Sequence, residues 1–191
     1  MRGLVLAVVM VLVSAGAAWA DPSSPEASTR QGMVLSSSDI ADGAVISNAQ
    51  VFNGFGCTGE NISPALSWDG VPEEAKSLAL TVYDPDAPTG SGWWHWVVFN
   101  MPVETNALPA GASKSDTMPE GTVESMTDFG TPGYGGPCPP VGDAPHHYIF
   151  TLHALDVEKL DLGENTPAAQ VGYFLNAHSV GKASFTGMYG R

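Results

Sequence analysis

The sequence predicts a mainly β protein, an antiparallel β-sandwich with a few peripheral helices. Two observations carry this. Short apolar or alternating segments recur between turn signals, and the 191 residues include 22 glycines and 15 prolines to make those turns. Short strands with frequent Gly/Pro turns are the pattern of a sandwich. Only one segment, near the end, shows a convincing helical period of apolar residues.

Residues 1–20 stand apart from the fold. Arg2 gives a positive start, residues 4–13 an apolar run, and Ala18-Trp19-Ala20 a small-x-small cleavage site. This is the composition of a secretory signal peptide, cleaved after Ala20, and it predicts a periplasmic or secreted protein. The apolar run is short for a membrane span, and no cysteine follows the site to take a lipid. No stable membrane anchor is therefore expected. Residues 21–32, rich in Ser and Pro, read as a flexible N-terminal tail. Residues 33–191 fit one domain with its own core. Without Arg2, six basic residues face twenty acidic ones, a net charge of −14. That argues against nucleic acid and anionic membrane surfaces as partners. It leaves room for a local anion site built from dipoles and donors.

Along the body, residues 33–36 and 44–46 are short candidate strands around a turn at 39–43. Residues 53–59 are glycine-rich loop, 66–68 an alternating strand closed by Asp69-Gly70, and 71–76 a loop or single helical turn. Residues 77–83 (SLALTVY) and 96–100 (WVVFN) read as strands. Residues 107–118 are a small-residue loop, and 121–126 another candidate strand. Residues 148–155 are apolar enough for a central strand buried on both faces. For the helix, Thr166 is the expected N-cap and Pro167 the first helical residue. Val171, Phe174, Leu175 and His178 then share one face, and Gly181 closes it. Residues 183–189 form the last strand.

The chemistry concentrates in two Pro/Gly-rich stretches. Residues 84–96 read DPDAPTGSGWWHW, a stiff loop between two strands that presents Asp84, Asp86 and His95. The plain alternative is a hairpin loop with turn-favouring aspartates. Residues 133–153 read GYGGPCPPVGDAPHHYIFTLH and repeat the recipe, ending in His146, His147 and Tyr148 at the start of a strand. Strand alternation sends His147 to the face opposite His146 and Tyr148. His153 and His178 read as core or surface fillers. Cys57 and Cys138 both lie in glycine-rich loops of an exported chain, which favours a disulfide over two buried thiols.

DPDAP, a histidine just before a strand, GGPCPP and P-H-x-Y, in this order, resemble the phosphatidylethanolamine-binding protein family, also called Raf kinase inhibitor-like. The short bacterial branch is the nearer likeness, and GCTGENISPALSW at 56–68 and the ending TGMYGR extend it. The resemblance implies the family's β-sandwich. It also implies a small pocket lined by Asp84, Asp86, His95, Gly136, Pro137, His146 and Tyr148, which takes phosphate-like groups, including a phospholipid head group. Gly135 joins this set because a Gly135-Gly136 backbone can bring N–H groups close. Trp94 and Trp96 flank His95 as candidate walls of the mouth, with core packing the plain alternative for Trp96.

Two His and two Asp also suit a divalent ion. There is, however, no HExxH, no cysteine cluster and no G-x-S-x-G. The readings therefore rank in order: a non-catalytic binder of a small phosphorylated or anionic ligand, needing no cofactor or metal; a regulator that binds a protease or signalling protein; and, third, a small hydrolase. On the first reading, His95 and His146 supply positive charge, so affinity for an anion falls as pH rises through the histidine range.

Overall fold

A computed structural model describes residues 32–191. The predicted signal peptide and residues 21–31 of the predicted tail lie outside the described residues. The strands in chain order are β1 (Val34–Ser36), β2 (Asn53–Gly54), β3 (Cys57–Thr58), β4 (Leu66–Asp69), β5 (Ser77–Asp84), β6 (Trp93–Pro102), β7 (Ala107–Leu108), β8 (Val123–Glu124), β9 (His146–Leu155) and β10 (Ser179–Tyr189). One helix, α1 (Ala168–His178), precedes β10.

Alternation sorts the long strands into two faces. Leu78, Leu80 and Val82 of β5 share a core with Phe150, Leu152 and Ala154 of β9. Ala79 and Leu155 point the other way. These strands form a five-stranded antiparallel sheet in the order β10-β9-β5-β6-β8. A three-stranded sheet, β1-β4-β7, covers its inner face with Leu35, Leu66, Trp68 and Leu108. On the outer face Ala168, Val171 and Leu175 of α1 pack on Ala79, Val97 and Phe99. Each fully buried Val, Leu or Phe contributes roughly 1.5–3 kcal/mol. The predicted mainly β sandwich is therefore the observed architecture, with one helix among the described residues.

The element boundaries differ from expectation for local reasons. Residues 44–46 make one parallel bridge, Val45 to Met188, because only Ile46 N and Ala44 O reach Met188. The loop at 53–59 contains the small β2–β3 hairpin, and the loop at 107–118 begins with β7. The strand expected over 121–126 shrinks to β8. Pro167, not Thr166, is the N-cap; its carbonyl accepts the N–H groups of Gln170 and Val171. Gly181 does not end the helix. Ser179 does, turning extended at ψ 120° while its N–H and hydroxyl both donate to the Leu175 carbonyl.

One irregularity positions the site. Val82 and Tyr83 are adjacent on β5, yet their partners on β6 are Trp96 and Trp94. His95 is the extra residue, a β-bulge, and a bulge re-aims the side chains around it. Trp94 therefore packs on the outer face against the α1 cluster, and Trp96 is wholly buried in the inner core.

Candidate functional site

Asp84, at the end of β5, is the hinge of the first loop. Its Oδ1 accepts the backbone N–H of Asp86 at 2.8 Å and of Ala87 at 3.1 Å, so the side chain folds DPDAP back on itself. Its Oδ2 accepts the His146 Nδ1 proton at 2.7 Å. Both residues are buried, 3% and 4% exposed. A carboxylate taken out of water needs donors, and Asp84 has three. His146 is thereby held in one orientation, with Nε2 on its far edge. Asp143 at the rim lies 3.5 Å from that Nε2 and competes for it.

His95 is fixed by the second loop. Its Nδ1 donates to the Gly135 carbonyl at 2.6 Å, and Gly135 N–H returns a bond to the His95 carbonyl at 2.9 Å. Burial pushes the pKa of His95 down to about 4, against the smaller upward pull of the Gly135 carbonyl and Asp84. The sequence expectation that His95 carries positive charge is therefore corrected: a ring buried this deeply stays neutral at neutral pH. Tyr148 stands edge-on to it, ring centroids 5.0 Å apart. Burial, then the nearby Asp84 charge, raises the Tyr148 pKa, so its hydroxyl keeps its proton. Among the described residues neither Tyr148 Oη nor His95 Nε2 has a hydrogen-bond partner, and neither is sealed off.

These groups floor a cavity of about 220 Å³. Its wall is apolar: Phe55, Trp93, Phe129, Pro88, Pro139 and Pro140. Phe129 stacks on Phe55 at 5.9 Å and meets the Trp93 ring edge-on at 5.5 Å. Cys138 also lines the cavity and is bonded to Cys57, 81 residues away in the chain. Arg191 braces the same wall, donating from Nε to the Pro139 carbonyl at 2.6 Å and from Nη2 to that of Phe55 at 3.2 Å.

Residues 36–190 match the family described as phosphatidylethanolamine-binding protein. The chain belongs to the phosphatidylethanolamine-binding protein family. Within it, the chain is 51% identical over 158 residues to the UPF0098 protein YbhB of Escherichia coli, covering 82% of this chain and 99% of that protein. It is 50% identical over 157 residues to E. coli YbcL, 81% of this chain and 86% of YbcL. Against the crystal structure of YbcL the TM-score is 0.82 at 48% identity, covering 84% of this chain and 99% of that one. A putative homolog in the family, CT736 of Chlamydia trachomatis, gives 0.71 at 34% identity, covering 84% and 98%.

In this family member, Asp84, His95, His146 and Tyr148 converge on the cavity. The other positions nominated by the sequence do different work. Asp86 turns outward and accepts from the backbone N–H of His147 at 2.8 Å and from its ring at 2.7 Å; these bonds hold its carboxyl below the usual range. Gly135 and Gly136 offer no spare N–H: the second donates to Asn61 Oδ1 at 2.7 Å. Their role is close approach. A Cβ on Gly136 would stand 2.0 Å from the Gln50 carbonyl oxygen. Pro137 accepts from Phe52 N–H and so ties the loop to 50–52. Trp94 and Trp96 do not line the cavity, because the bulge at His95 sends them to opposite faces; Trp93 takes that place. Phe55 and Phe129 carried no local signal in the sequence, and Asn61 and Arg191 entered only as members of segments that extend the family resemblance.

Proposed function

We propose that this protein is an exported, non-catalytic binding protein whose cavity holds a small anionic or phosphorylated head group, such as that of a phospholipid. The observation that supports it most is the pairing of a polar floor with an apolar collar. Tyr148 Oη supplies a donor at the bottom, and the aromatic and proline wall excludes water, which strengthens each charged hydrogen bond. The volume suits a head group better than a larger molecule. The non-catalytic reading is supported by two lining groups that are already engaged: Cys138 is tied in its disulfide, and the Thr89 hydroxyl donates to the Gly92 carbonyl.

Calorimetry with methyl phosphate at pH 5.5 tests this. Tyr148→Phe is expected to weaken binding roughly tenfold, the cost of one donor to a charged group. His147→Gln, on the other face of β9, is expected to leave affinity within about twofold. Absence of binding by the unsubstituted protein overturns the proposal. Saturable hydrolysis of the ester, lost in His146→Ala, would make the protein an enzyme instead.

A further inference from the structure

Resting on that reading, we infer that the cavity selects an oxyanion that still carries one proton, a monoprotonated phosphate ester, and that His95 is the residue that detects the proton. A carbonyl oxygen only accepts, so the 2.6 Å bond to Gly135 places the ring proton of neutral His95 on Nδ1. Nε2 is then a bare acceptor in the cavity. The groups around the ring do not change this. Asp84 on β5 is occupied by three N–H donors, His146 on β9 is turned to Asp84, Tyr148 on β9 keeps its proton, and Asp128 on the adjoining loop accepts the Trp94 N–H at 2.7 Å. Among the described residues no Lys or Arg lines the cavity.

The floor therefore sets a donor, Tyr148 O–H, beside an acceptor, His95 Nε2. A fully deprotonated oxyanion satisfies Tyr148 but sets an oxygen lone pair against the nitrogen lone pair. A monoprotonated phosphoryl group satisfies both, with P–O⁻ toward Tyr148 and P–O–H toward His95. His146 can contribute at most one positive charge, and the whole chain carries −13, so one negative charge is also better tolerated than two.

Methyl phosphate and methyl sulfate isolate the proton. At pH 5.5 the phosphate ester is mostly a monoanion, its second pKa being about 6. The sulfate ester has the same shape and single charge and no proton. Both esters are measured against the same protein at one pH. Calorimetry on the unsubstituted protein is expected to show methyl phosphate tighter by at least about tenfold, since a buried acceptor left unpaired costs that much. In His95→Phe the ratio is expected to fall toward one. Equal affinities for the two esters would overturn the inference while leaving anion binding intact. A preference that survives in His95→Phe would remove His95 from the role. Binding of neither ester would overturn the anion reading and this inference together. If His95→Phe does not fold, the ratio in the unsubstituted protein still decides.

Discussion

His95 and His153 are buried on opposite faces of the five-stranded sheet, and they differ in what surrounds them. His95 and His153 are 4% and 7% exposed. Each uses Nδ1 locally, His95 toward the Gly135 carbonyl and His153 toward Ser179 Oγ at 3.0 Å. Burial pushes both pKa values down to about 4. Yet His95 meets a cavity that also holds Tyr148 and the buried Asp84–His146 pair, while His153, in regular sheet between Ala79 and Lys182, lines a groove beside α1 with no carboxylate in it among the described residues. A buried, neutral histidine is thus no mark of a site by itself. The convergence of further polar groups, and the bulge and loops that arrange it, make the difference.

The two surrounds should differ most in rigidity. On the cavity side, Gly136→Ala drives a methyl onto the Gln50 and Phe52 backbone, which cannot swing aside as a side chain would. Urea unfolding is expected to show a loss above about 4 kcal/mol, or no folded protein. A loss under about 1 kcal/mol would mean that this loop yields readily.

The two histidines should be equal in their response to acid. Each has a folded pKa of about 4, below the ordinary 6.5, so the unfolded chain takes up the proton first. The stability contributed is full above pH 6.5 and is lost as pH falls from 6.5 toward 4, by up to about 3 kcal/mol per histidine. Unfolding free energies at pH 7 and pH 4.5 check this. His95→Phe and His153→Phe should each remove its share of the slope, and only the first should alter ligand binding. An unchanged slope in either variant would show that its ring is already solvated.

The smallest effect is expected opposite the cavity. A Cβ on Gly172 of α1 would meet only the Trp94 ring, at 3.7 Å, an ordinary contact. Gly172→Ala should therefore stabilise by about 0.5–1 kcal/mol through helix propensity. A destabilised variant would show that Trp94 has no freedom to accept the methyl.

Much of this was legible in the sequence because it is local. Alternation in SLALTVY and HHYIFTLHAL sets which side chains face inward, and it separates His147 from His146 and Tyr148 as observed. Two cysteines in glycine-rich loops pointed to the bond that closes the cavity wall. What was not legible depends on distant parts of the chain. Phe129 becomes a wall because Phe55 and Trp93, far away in sequence, come to meet it. The charge state of His95 depends on burial, which residue type does not disclose. The roles of Trp93, Trp94 and Trp96 depend on the register between β5 and β6, and three neighbouring aromatic residues fit either phase.

That register has a consequence for strand length. The bulge at His95 is a phase slip between two halves of β6, much like a frameshift in a reading frame. Removing one residue between 93 and 96 would not trim a surface loop. If that residue is His95, strict alternation returns with Trp94 and Trp96 still on opposite faces and still opposite Tyr83 and Val82, but the cavity loses the imidazole and its bond to Gly135. The number of residues in this strand therefore shapes the cavity as much as any side chain in it.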